Sequence, residues 1–396
     1  MNEFLNYKKA IDVSKPFWDI SDEAGLTNVT SKNHLNGLLS TEGGHTYANM
    51  SSYSYLGLDS DDRIVQGAID AMLTTKSLNS SSARIRIHYD ILKQAEDRLS
   101  ETFQEHAITV SSCSAAASAV LPLLSSGVLT KNKPPTMIFD KQAHLCMNVI
   151  KPLCADETTV LTCPHNDINY IESYCKKNSN VAVVVDSVYS TGGLAPIREL
   201  FELQNKYGIF LLFDDAHSTS VYGSNGRGHV LDYVDQLNER TIIISSLNKG
   251  FGASGGMILL GDSKWREPIS RFGGPFSWSQ RINTAGLGAI IASCDIHSSG
   301  EIEQLQNRLM KNIEIFDSLV KTNETGDGLP IRLIPVKNED ATVNIAKNLF
   351  QEGFYTSPLF FPVVSRSKSG LRVMIRSDMS QEQILSFSEI FHSLDI

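Results

Sequence analysis

Ile209-Phe210-Leu211-Leu212-Phe213-Asp214-Asp215-Ala216-His217 and Ile242-Ile243-Ile244-Ser245-Ser246-Leu247-Asn248-Lys249 decide how this chain is read. In each, a run of consecutive apolar residues ends on polar groups capable of chemistry. Runs that are apolar at every position suit strands buried on both faces, as in parallel sheets covered by helices. Thr136 to Asp140, Val181 to Asp186 and Gly256 to Leu260 have the same character. Amphipathic segments alternate with them, for example Ile197, Leu200, Phe201 and Leu203 before Tyr207. The alternation predicts an α/β fold with a mainly parallel sheet. Ligands of such sheets gather at the carboxyl ends of the strands, where Asp140, Asp186, Asp214 and Ser246 all fall.

Working outward, 396 residues call for two lobes rather than one core. Residues 1–50 are mixed and polar and read as an N-terminal arm, 51–288 as the large domain, and 289–396 as a smaller α+β domain. Its signals are a helical stretch from Glu301 to Leu319, strands near Ile331–Val336 and Leu371–Arg376, and an amphipathic helix from Gln381 to Leu394. The net charge of −9, from 35 basic and 44 acidic residues, argues against a nucleic-acid partner. Six cysteines without CxxC spacing read as reduced thiols, so no metal site is expected and the location expected is cytoplasmic. The first residues lack the apolar segment of a signal peptide, and no apolar run is long enough to span a membrane.

An acid and a lysine delivered to the ends of two buried strands, Asp214 and Lys249 (249 − 214 = 35 positions apart), match the needs of pyridoxal 5′-phosphate (PLP). The lysine forms a Schiff base, and the carboxylate keeps the pyridine nitrogen protonated so that the ring accepts electrons. Other residues fit around that pair. Cys113 and Ser114 lie in Ser111–Ala117, a small-residue stretch that opens a helix and can bring backbone N–H groups to a phosphate; a capping serine is the plainer alternative. Ser246 is placed to reach the same phosphate. His144 is a candidate to stack on the ring, or else a histidine bonded to backbone at a helix start. His217 and Ser190 are candidates to bond the phenolic oxygen. Gly223 to Gly228 reads as a turn closing over the cofactor. Arg372, inside an apolar strand, is costly unless paired; an amino-acid carboxylate would justify it, as would an internal salt bridge.

Asp214-Asp215-Ala216-His217-Ser218, Gly223 to Gly228, Ser246 to Gly252 and Ser51-Ser52-Tyr53-Ser54-Tyr55-Leu56-Gly57-Leu58 resemble the α-oxoamine synthases. That family takes in amino-oxononanoate synthases, serine palmitoyltransferases and quorum-sensing autoinducer synthases. The resemblance runs from about Ser51 to Arg372. It implies a fold type I, PLP-dependent transferase that works as a homodimer, with the active site at the subunit interface. The reaction implied is decarboxylative condensation of an amino acid with an acyl thioester, of CoA or an acyl-carrier protein, to an α-amino ketone. Aminotransfer, or amino-acid decarboxylation without acyl transfer, is the alternative. Lys249, Asp214, His144 and His217 carry over as the catalytic set. Cys113, Ser114 and Ser246 carry over as further cofactor contacts, with Ser277 reaching a phosphate in the partner subunit. Tyr53 stands where many members have asparagine near the substrate, Cys113-Ser114 replaces a glycine-aromatic pair, Ser187 a glutamate, and Phe360 an arginine. The cofactor apparatus is kept while the substrate shell is altered, which implies a divergent member in secondary metabolism or signalling.

Overall fold

In the computed structural model, which describes residues 7–365 and 368–394, every apolar run quoted above is a strand. The large sheet has seven strands in the order His106–Val110, Gly256–Leu260, Thr241–Ser246, Phe210–Asp214, Val181–Asp186, Thr136–Asp140, Val160–Cys163. The last five pair in parallel. Gly256–Leu260 differs, running antiparallel to both its neighbours. The connection explains the reversal. Only residues 247–255 separate it from Thr241–Ser246, and a parallel crossover needs a dozen residues or more.

Alternate residues of the same strands feed two apolar layers. Val183, Val185, Leu211, Phe213 and Ile243 face one layer, with helices Asp90–Phe103, Ile197–Tyr207 and Thr284–Ser298. Ala182, Val184, Phe210, Leu212, Ile242 and Ile244 face the other, with helix Cys113–Ser125. Helices Asp62–Thr75 and Thr284–Ser298 meet glycine to glycine. A Cβ on Gly288 would lie 2.3 Å from the Gly67 carbonyl oxygen, so the backbones themselves are in contact.

The chain divides into two units. One comprises Asp61–Tyr189 and Leu194–Glu303 and holds this sheet; the other comprises the described residues of Asn6–Ser60, Ser190–Gly193 and Gln304–Ile396. The second unit has a three-stranded antiparallel sheet, in the order Ile331–Pro335, Gly370–Met374, Ser357–Leu359. Helices Glu339–Gln351 and Gln381–Ser393 also belong to it. The segment read as an arm holds a helix, Tyr7–Glu23, and three short strands, Ser31–Asn33, Leu38–Thr41 and Thr46–Asn49. The last of these pairs in parallel with Phe354–Tyr355 and so joins the C-terminal residues in one sheet. No described helix is long and apolar enough to cross a membrane.

Candidate active site

Asp214 ends its strand buried, at 4 % exposure. The Ala216 N–H donates to its Oδ1 over 3.0 Å, and the sulfurs of Cys113 and Cys146 each lie 3.5 Å from its Oδ2. Among the described residues no cation forms an ion pair with it. A buried carboxylate offered only an amide and two thiols suits a cationic ring N–H, because burying an unpaired charge is expensive. His217, also buried, has its Nε2 2.9 Å from Lys249 Nζ. Burial pulls the Lys249 ammonium below the usual lysine range, opposed by the nearby Asp214 carboxylate. An amine that sheds its proton readily is a usable nucleophile.

Lys249 rides on the connection between the two antiparallel strands. Both ends of that loop are pinned, since Leu247 N–H donates to Gly255 O (2.9 Å) and Ala253 N–H to Leu247 O (2.8 Å). Gly256 lets the loop pass close to the next helix, because a Cβ there would meet Ser245 O at 2.6 Å and Cys113 N at 2.8 Å. The helix Cys113–Ser125 is capped by Ser112, whose Oγ accepts from Ala115 N–H and whose carbonyl accepts from Ala116 N–H. The amides of Cys113 and Ser114 precede the first helical bond and are available to an anion.

His144 starts a short helix, Leu145–Asn148, and its Nδ1 accepts from Cys146 N–H over 3.2 Å. Its own N–H donates to Asp186 Oδ1 over 2.9 Å. The contact with the Cys146 side chain pushes the His144 imidazolium up. Asp186 lies in register beside Asp214 on the neighbouring strand. Burial first, and then the Asp214 charge, push its carboxyl well above the usual range. The Cys113 thiol toward Cys146 holds Cys146 below the usual thiol range and leaves Cys113 well above it. Cys146 was not among the residues picked from the sequence. It stands 33 positions from Cys113 (146 − 113 = 33), and no spacing pattern links the two.

Two further residues and one turn read from the sequence have the following surroundings. Ser246 Oγ donates to Asn248 Oδ1. Ser277 is fully buried in its own chain, in the short helix Pro275–Trp278 packed on Cys113–Ser125, and its Oγ has no hydrogen-bond partner. The exposed residues of that helix are Pro275 and Trp278. The Gly223–Gly228 turn approaches Asp215 closely. At Gly228 φ is +92°, and a Cβ would lie 2.0 Å from Asp215 Oδ2. Asp215 accepts from Ser187 Oγ, and burial pushes its carboxyl up to about 7.

In the other unit, Arg372 Nη2 donates to the Tyr53 hydroxyl over 2.6 Å, with the guanidinium 5.3 Å from the centre of that ring. Nη1 donates to the Ser190 carbonyl over 3.3 Å, and Nε is buried without a partner. Arg372 forms no internal salt bridge among the described residues, so it remains able to take a carboxylate. Phe360, at 2 % exposure, packs on Phe17 (5.6 Å between ring centres) and Trp18 (5.1 Å). Arg366, which follows Phe360 closely in the sequence and is a candidate charge for an acyl terminus, lies outside the described residues.

These residues fit PLP. There is a buried carboxylate that forms no ion pair among the described residues, an amine of lowered basicity beside an imidazole, and two helix-start amides ahead of the first helical bond.

Over residues 46–390 the sequence matches the family described as Aminotransferase class I and II. It is similar to the 8-amino-7-oxononanoate synthase of Petrotoga mobilis, with 26 % identity over 379 residues covering 92 % of each chain. It is 28 % identical over 361 residues to that of Alkaliphilus metalliredigens, covering 88 % of this chain and 87 % of the relative. In fold it is similar to a serine palmitoyltransferase variant from S. paucimobilis solved with bound PLP–myriocin aldimine, with a TM-score of 0.86, 17 % identity and 98 % of each chain covered.

Proposed function

From the premise that this chain belongs to the aminotransferase class I and II family, and within it to the α-oxoamine synthases, we propose that it is a PLP-dependent acyltransferase. It would condense an amino acid with an acyl thioester, releasing carbon dioxide and giving an α-amino ketone. The observation that carries this is the Lys249–His217 contact of 2.9 Å beside the buried carboxylate of Asp214. Bound, PLP supplies the electron sink for charge developing at the amino acid's α-carbon.

The chain's own residues divide the remaining work. Asp214 accepts the ring N–H and keeps the nitrogen protonated. His217 takes up the proton that Lys249 must lose to act as a nucleophile, and Lys249 is then the base positioned to remove the α-proton. Cys113 and Ser114 donate their amides to the phosphate. His144, fixed by Cys146 and Asp186, offers its ring for stacking. Arg372 binds the amino-acid carboxylate, aligned by Tyr53 on one nitrogen and the Ser190 carbonyl on another. Phe360, inside an aromatic cluster, favours a neutral, apolar acyl chain. Homodimerisation, use of CoA or an acyl-carrier protein, and a cytoplasmic location complete the reading; six free cysteines suit a reducing compartment.

The test is a panel of amino acids offered with and without acyl thioesters, following free thiol and carbon dioxide. Release of both in equal amounts, only when both substrates are present, is the expected result. Carbon dioxide without thiol would make the chain a decarboxylase. Amino-group transfer to a 2-oxo acid without either would make it an aminotransferase.

A further inference from the structure

Cys113 Sγ, Cys146 Sγ and Asp214 Oδ2 all lie within 4.8 Å of one another, and each sulfur is 3.5 Å from the same carboxylate oxygen. A tetrahedral zinc ion sits about 2.3 Å from sulfur and about 2.0 Å from a carboxylate oxygen, which sets sulfur and oxygen roughly 3.5 Å apart. The two observed sulfur–oxygen separations therefore match those of a bound ion.

We propose that these three side chains form a binding site for a borderline-soft divalent cation of the zinc class, with the fourth position left to water. Binding displaces one proton from each thiol to solvent. Two thiolates, one carboxylate and the dication leave one negative charge, and the Lys249 ammonium is among the charges acting on both sulfurs. With Asp214 Oδ1 engaged by the Ala216 N–H, the ion and a ring N–H compete for Oδ2. Ion and cofactor are therefore alternative occupants, and that corollary rests on the role given to Asp214 under Proposed function. Zinc would hold the full chain in a cofactor-free state until thiols or chelators remove it.

The experiment titrates Zn²⁺ into the reduced full-length chain, stripped of cofactor and then reloaded with PLP, against a chromophoric chelator. One ion per stripped chain is expected. Cys113→Ser and Cys146→Ser should each weaken binding at least about 100-fold, at or beyond the top of the roughly 10–100-fold that an outer-shell partner costs. Zinc X-ray absorption on the unaltered protein keeps the test independent of how the variants fold, and should read two sulfur ligands at about 2.3 Å. Zinc affinity that is unchanged in the double variant, or an absorption spectrum without sulfur, overturns the site. Saturating PLP should lower zinc affinity in proportion to its concentration. If PLP binds and zinc affinity does not move, mutual exclusion is wrong although the site stands. If zinc binds as described and PLP never binds, the cofactor reading fails and the metal site survives.

Discussion

Asp215 gives the sharpest quantitative prediction because a single buried carboxyl controls it. Its side chain is 1 % exposed and its carboxyl is pushed from the ordinary 3.8 up to about 7, chiefly by burial, against the pull of Ser187 and Ser218. Folding therefore favours the protonated form. The stability this group contributes is present in full below about pH 3.8 and is lost as pH rises to about 7. Over that span, at about 1.36 kcal/mol per pH unit, the loss amounts to roughly 4 kcal/mol as an upper figure. Asp215→Asn keeps the shape and removes the titration. Denaturant unfolding of both proteins, under matched cofactor and protein concentration at pH 4.5, 6, 7 and 8, reads the difference directly. The wild type should lose ground against the variant by up to about 3 kcal/mol between the ends of the series and then level off above neutrality. Parallel curves would mean that Asp215 does not titrate in this window, and that Ser187 and Ser218 hold it ionised.

Other consequences follow from the same geometry. Lys249→Ala should abolish borohydride-fixable attachment of PLP and all turnover, and peptide mapping of the reduced wild type should find the label on Lys249 alone. Asp214→Asn should still bind PLP but slow exchange of the amino acid's α-hydrogen with deuterated solvent by about 100-fold or more, since a pre-arranged charge partner is lost; near-normal exchange refutes its role. Gly228→Ala should cost about 1–3 kcal/mol from the backbone alone, with the clash against Asp215 added, measured as a lowered denaturation midpoint. Neutral acyl thioesters should show higher kcat/KM than ω-carboxylated ones of equal length. Each buried methylene contributes about 0.8 kcal/mol, and Phe360 offers a terminal carboxylate no partner; preference for the charged donor would show that the pocket has been misread.

The buried strands were legible because apolar residues on consecutive positions have few other uses, and Asp214 and Lys249 were legible because they end such runs. The direction of Gly256–Leu260 was not carried by its own residues, which read alike in either sense. It was implicit in the length of the connection before it. The strands near residue 40 escaped notice because Ser31–Asn33 and Leu38–Thr41 are short, polar and only partly buried, so they lack the alternation that marks a strand. The pairing of Cys113 with Cys146 and the enclosure of Ser277 depend on how helices pack across the sheet edge, and neither leaves a local pattern. The cost of an arginine inside an apolar strand is legible at Arg372, but the Tyr53 hydroxyl that orients it comes from 319 positions away (372 − 53 = 319).

The reversed strand has a kinetic consequence. Had Gly256–Leu260 run parallel, the chain after Lys249 would have left for the far edge of the sheet through a helix, and the lysine would sit where a strand runs out into a long excursion. Instead the loop turns back at once and is moored at both ends by Leu247, Ala253 and Gly255. A side chain on so short a tether samples only a small volume whenever it is not engaged. Its local concentration near its target stays far above anything a free amine in solution achieves, and the entropy of finding that target is already spent. Lengthening the loop with inserted glycines should therefore slow the lysine's return after each turnover more than it weakens the fold.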